Sequence, residues 1–290
     1  MANNNIEKIT LENSDYPKIL KEIHDPPKTL YIRGNFSKQD KIAIGVVGTR
    51  SYTSYGKRAT EDIAGSLAET GITIVSGLAK GIDTFAHRAA LDRNGRTIAV
   101  LGSAVNPNSI YPSCNRKLAD KIAQNGAVIS EYPSGIKSER WFFAQRNRII
   151  SGLSMGILVV EAPEKSGALI TAMQAVEQNR EVFAIPGPIY SQNSVGTNKL
   201  VQMGAKLVTC ANDILEELNL PLLKEKKKKF KPENKWEEIL FNILSKEPVH
   251  IDEITKKSNL DAGLVSSTLI TLELRGIVKN QGGGYYFRNL

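Results

Sequence analysis

IAIGVVGTR (Ile42–Arg50) and ITIVSGLAKGIDTFAH (Ile72–His87) share one pattern: an unbroken apolar run, a glycine-bearing turn, then a segment with helical spacing. The pattern recurs along the chain. Further apolar runs are TLYIR (Thr29–Arg33), TIAVL (Thr97–Leu101), AVIS (Ala127–Ser130), ILVV (Ile157–Val160) and VFAI (Val182–Ile185). Continuous rather than alternating hydrophobicity predicts strands covered on both faces, hence a mostly parallel sheet. Helical spacing over Ala59–Thr70, Ile82–Asn94 and Leu169–Asn179 supplies the crossovers. The fold class is therefore α/β, an extended Rossmann-like doubly wound sheet.

The remaining chain reads differently. LLKEKKKKFK (Leu222–Lys231) is a charge run expected to be a solvated linker that could also touch phosphates. Beyond it, Trp236–Leu244 and Ile251–Ser258 read as helices, and Asp261 as the cap of a third that runs to Arg275. IVKN, three glycines (Gly282–Gly284) and YYFR then read as a hairpin. Three helices and a hairpin describe a small C-terminal winged-helix domain. The expected organisation is a short N-terminal helical segment (1–28), a Rossmann-like domain (29–220), a basic linker (221–235) and the winged helix (236–290). The third helix carries Asp261 and Glu273 and no cation before Arg275, which argues against reading base edges in a major groove.

With 290 residues, a net charge of +8 and 41% apolar residues, the chain is an ordinary globular protein leaning towards an anionic partner. The start MANNNIEKIT lacks the pattern of a signal peptide, and the apolar runs are too short to span a bilayer. Two cysteines, Cys114 and Cys210, without CxxC, argue against disulfides and a thiolate metal site; the compartment reads as cytoplasm. No metal and no cofactor is expected. The histidines His24, His87 and His250 are scattered; Asp83 and His87, one helical turn apart, are expected to pair on one face, capping the helix and anchoring a loop.

Three glycine turns carry the chemistry: Gly48-Thr49-Arg50, Gly77 to Gly81, and Ser166-Gly167. Glycine admits close approach to an anion, and a helix N-terminus adds partial positive charge. With Arg50, Lys80 and Lys165 beside them, the turns predict a phosphate-binding face at one sheet edge. No GxxxxGK[ST] or GxGxxG completes a nucleotide site, and no nucleophile has a base, so catalysis is not expected. Trp141-Phe142-Phe143 followed by Arg146-Asn147-Arg148 combines rings with cations and an amide, as unstacked bases on a phosphate chain require. The plainer alternative packs the rings under a helix and spends the arginines on carbonyls.

These motifs resemble the DNA-processing protein A family, also called DprA or Smf. The resemblance rests on VVGTR (Val46–Arg50), VSGLAKGIDTFAH (Val75–His87), RNRIISGLS (Arg146–Ser154), VVEAPEKSGALITA (Val159–Ala172) and SVGTNKLVQMGA (Ser194–Ala205). It implies single-stranded DNA binding, a homodimer, and delivery of DNA to the recombinase RecA in natural transformation, with single-strand binding protein displaced. It also implies DNA contacts at Gly48, Thr49, Arg50, Phe143, Arg146, Asn147 and Arg148, with Lys165, Ser166, Gly167 and Lys199 as companions. Ala144 stands where the family has proline, which is expected to loosen a loop carrying Phe143. A phosphoribohydrolase-like enzyme using Glu161 or Glu177 is the alternative.

Overall fold

The computed structural model describes residues 6–223 and 230–289, which divide into two compact units at Leu223/Lys224. In the first unit the chain runs through β1 (Ile6–Thr10), α1 (Lys18–Lys21), β2 (Thr29–Gly34), β3 (Ala43–Val47), α2 (Ser54–Glu69), β4 (Thr73–Ser76), α3 (Ile82–Asp92) and β5 (Thr97–Val100). It continues with α4 (Arg116–Asn125), β6 (Ala127–Ser130), α5 (Arg140–Gly152), β7 (Gly156–Val159), α6 (Gly167–Glu177), β8 (Glu181–Ala184), α7 (Val195–Gln202), β9 (Lys206–Leu207) and α8 (Ala211–Glu217).

The strands form one sheet in the order β1-β2-β6-β5-β4-β3-β7-β8-β9. From β6 to β9 every pairing is parallel, whereas β1 and β2 are antiparallel. Strand order grows outward from β3 in one direction and from β7 in the other, so the switch point lies between those two. Alternate residues of each strand enter opposite core layers. Ile44 and Val46 pack with Ile63, Leu67 and Ile82 of α2 and α3, while Ala43 and Val47 pack with Ile149, Ile150 and Ala172 of α5 and α6. Both faces are apolar and covered, which is why the sequence shows runs rather than alternation.

The N-terminal segment differs from expectation. Residues 6–10 form a strand paired with β2, and Tyr16, Leu20 and Ile23 are buried in the main core. The segment is thus an edge of the sheet and not a separate helical piece. The linker is also shorter than expected. Leu223 is tied to Asn212 in the first unit, and Phe230 stacks on Phe241 in the second. The lysines at 224–229, to which phosphate contact was assigned, lie outside the described residues.

The second unit contains α9 (Lys235–Ile243), β10 (Val249–His250), α10 (Ile251–Ser258), α11 (Ala262–Leu274), β11 (Val278–Gly282) and β12 (Tyr285–Arg288). The sheet order β10-β12-β11 and a core of Leu240, Ile254, Leu269 and Tyr286 make it a winged helix. Asp261 caps α11 by accepting from the amides of Gly263 and Leu264. Arg275, the C-cap of that helix, donates to the buried Glu237 at 2.7 Å. No helix among the described residues is long and apolar enough to cross a membrane.

Candidate nucleic-acid interface

The carboxyl ends of the parallel strands bring the three glycine turns to one edge. At the switch point β3 runs into Gly48-Thr49-Arg50 and α2 begins. The Thr49 amide donates to the carbonyl of Glu161, just past β7, at 2.8 Å. The Glu161 carboxylate accepts from the amide of Thr53 at 2.9 Å and from the Thr53 hydroxyl, and is itself buried. A Cβ added at Gly56, in the first turn of α2, would lie 2.2 Å from Glu161 Oε2. In Rossmann-like folds the helix N-terminus here seats a phosphate. An internal carboxylate occupies it instead.

The turn after β4 is closed in the same manner. Asp83 in the first turn of α3 accepts from the amides of Gly77 (3.1 Å) and Ala79 (3.3 Å). Arg146 of α5 donates to the carbonyls of Gly77 (2.7 Å) and Val100, and Asn115 donates to the Leu78 carbonyl at 2.9 Å. A Cβ at Gly77 would fall 2.5 Å from Arg146 Nη2, so only glycine leaves room for the guanidinium. Burial pulls the Arg146 guanidinium down to about 10, with Asp83 opposing; burial likewise pushes the Asp83 carboxyl up, with Arg146 and the two amides opposing.

The expected Asp83–His87 pair does not form. His87 is fully buried and its Nδ1 lies 2.7 Å from the Thr97 hydroxyl, which itself donates to the Ile74 carbonyl. The proton therefore sits on Nδ1, and burial, helped by the field of Arg146, lowers this histidine to about 3.

The aromatic and cationic string lies on α5, not on a loop. Ala144 continues that helix, so the missing proline loosens nothing here. Phe142 is buried and stacks on Tyr132 with centroids 3.9 Å apart, while Trp141 is exposed. Phe143 is half-buried, edge-on to Tyr111 at 5.5 Å. Arg148 is not free for phosphate. It donates to Glu131 at 2.8 Å and Asp25 at 2.9 Å; burial opposes its charge, but these carboxylates outweigh burial and raise its pKa. Asn147 lies 3.4 Å from the Gly167 carbonyl. The structure thus gives both arginines internal partners: the plainer reading describes Phe142 and Arg146, which meets carbonyls, but not the exposed Trp141 or Arg148, whose partners are carboxylates.

What remains open is a second set of residues. Arg50, Lys80, Lys165 and Lys199 are exposed, and none has a side-chain hydrogen bond or ion pair among the described residues. Lys165 precedes Ser166, whose hydroxyl caps α6 through the Ala168 amide at 3.3 Å, and Gly167 is exposed with nothing near its Cβ position. α7, which carries Lys199, is fixed beside this turn by the Gly196 amide on the Ala162 carbonyl at 2.8 Å. Of the three glycine turns, only that of α6 faces solvent without an internal carboxylate. Glu161 and Glu177, the carboxylates offered as alternatives for hydrolysis, lie apart from the open turn in different ways. The first is committed to Thr53, and the second sits ten residues along α6 from Gly167, about 15 Å by helix rise.

The pattern for DNA recombination-mediator protein A matches residues 7–219, and that for the DprA winged helix domain matches residues 230–284. The chain belongs to the DNA recombination-mediator protein A family. The family's relatives include protein Smf of Synechocystis, 39% identical over 98% of this chain and 80% of the relative. DNA processing protein A of Streptococcus pneumoniae superposes with a TM-score of 0.70 and 42% identity, covering 74% of this chain and 75% of that one. The Helicobacter pylori protein, whose structure describes a single-stranded DNA binding mode, gives 0.65 and 33% over 73% and 96%. Within the family frame, sequence reasoning missed the anchoring roles of Asn115 and Thr53, whereas the loop anchoring expected of Asp83 is present on the amides of Gly77 and Ala79. The Asp83 signal was legible because a carboxylate in the first turn of a helix is a common cap of loop amides.

Proposed function

We propose that the protein is a non-catalytic mediator that binds single-stranded DNA along the carboxyl edge of its parallel sheet. It protects the strand and, as a cytoplasmic homodimer, delivers it to RecA in natural transformation and DNA recombination, displacing single-strand binding protein. One observation carries the DNA reading: four cations, Arg50, Lys80 and Lys165 on loops and Lys199 on α7, stand exposed without a side-chain partner among the described residues at the edge where such folds take ligands. The H. pylori relative's binding mode supports it. In this reading Arg50, Lys165 and Lys199 neutralise phosphates, the Ser166-Gly167 turn supplies amides, and Phe143 with Gly48 shapes the path. Arg146, Asn147 and Arg148 hold the loops in place, as do Thr49 and its bond to Glu161. The apolar stripe Ile170, Met173 and Val176 on α6, each about half exposed, is the surface assigned to the second copy.

Fluorescence anisotropy with labelled oligo-dT and an equal-length duplex, over a salt series, tests the reading. Tighter binding of the single strand and a negative salt slope are expected. Arg50→Ala should weaken binding about tenfold and reduce the slope by about 0.7, the share of one single-strand phosphate contact. Equal affinity for both forms, or no binding, would reject the mediator reading.

A further inference from the structure

Beside the phosphate-facing loops lies a cleft of about 380 Å³, between Thr53 and Tyr55 at the start of α2 and the loop Gly187–Ser194 after β8. Its size falls in the range of small-molecule sites, roughly 300–1,000 Å³. Its walls are held firmly. The Tyr55 hydroxyl donates to the Pro186 carbonyl at 2.7 Å, and Asn198 exchanges two hydrogen bonds with Gly187 at 3.0 and 3.2 Å. Asn193 on the same loop donates to the Ser51 carbonyl at 2.6 Å, which joins the cleft to the turn bearing Arg50.

The chemistry of the lining is unlike that of the loops beside it. Among the described residues the one charged group lining the cleft is the Glu161 carboxylate, so a phosphate is repelled from it. The rest is an aromatic face (Tyr55), a glycine–proline backbone wall and the hydroxyls of Ser191 and Ser194, which both donate and accept. A flat, neutral ring with N–H donors on its edge fits such a lining. Tyr55 is half exposed, and Tyr190, 92% exposed, stands on the cleft's own loop.

We propose that this cleft is a base-binding subsite, taking one unstacked nucleobase of a single strand whose phosphates follow the Arg50 turn. The inference rests on the DNA reading above and adds residues to it: Tyr55 and Tyr190 as stacking surfaces, Ser191 and Ser194 as edge partners. Stacking on a ring is tolerant of base identity, so the subsite strengthens binding without imposing a sequence.

The test uses the full chain and oligo-dT carrying one 2-aminopurine, with an abasic strand of equal length as the control for phosphate contacts. Ser191→Trp fills the cleft from a side chain that caps nothing, and Tyr190→Ala removes a ring that is almost wholly exposed. The wild type should change 2-aminopurine emission on binding and prefer dT over the abasic strand. Ser191→Trp should abolish the emission change and weaken dT binding about fivefold or more, with abasic binding unchanged; Tyr190→Ala should shift both in the same direction by less. If both variants match the wild type while Arg50→Ala still weakens binding, the subsite is overturned and the DNA reading stands. If oligo-dT does not bind the wild type, both fall.

Discussion

The turn after β4 and the turn that opens α6 lie on the same sheet edge and both contain glycine, yet their polar groups point in opposite directions. At the first, Asp83, Asn115 and Arg146 consume the loop's amides and carbonyls from within. At the second, Lys165 and Gly167 face solvent. Glycine and a nearby cation are common to both, so neither is a sufficient mark of an anion site. What separates them is whether a carboxylate or carbonyl from the same chain has already taken the donors.

The comparison can be broken most decisively at Arg146. Arg146→Ala would leave the Gly77 and Val100 carbonyls and the Asp83 carboxylate without their buried partner, a loss of about 3–5 kcal/mol in denaturant unfolding. Wild-type stability with a selective loss of DNA affinity would move Arg146 into the interface and erase the distinction.

Acid titration probes the same sealed interior. The unfolded chain takes up a proton on His87 near 6.5, and the folded chain does not until about 3. Stability is therefore full above that window and falls as pH drops through it, by up to about 1.4 kcal/mol per pH unit. His87→Gln should flatten the slope; an unchanged slope would mean that the histidine is not held neutral. Smaller effects belong to the open turn. Lys165→Ala and Lys199→Ala should each weaken oligo-dT binding by severalfold at most, leave the Tm unchanged and lower the salt slope by about 0.7. A drop in Tm instead would place these lysines among the anchors. The smallest effect is expected in the winged helix. Leu274→Ser, on the helix that lacks free cations, should leave oligo-dT affinity unchanged, and a measurable loss would make α11 part of the path.

The parallel strands were legible because burial on both faces leaves continuous runs such as AVIS, whose limits match β6 residue for residue. The winged helix was legible through local signals, the Asp261 cap above all. By contrast, IEKIT gave no strand signal because β1 is a short edge strand in which Ile9 alone of the five residues is buried. Arg148 shows why the site was only half readable. Its partner Asp25 lies 123 residues away in sequence, so nothing local marks this arginine as spoken for. Residue type revealed which side chains could meet a phosphate; long-range pairing decided which of them still can.

The carboxylate of Glu161 at the start of α2 has one more consequence, for competition. A mononucleotide docks on a Rossmann-like edge chiefly through its phosphate at that helix end, and here the berth is taken by the chain itself. Free nucleotides, however abundant, have no strong foothold there. A polymer that gains little from any single contact but makes many in series would lose little by the absence of that one seat.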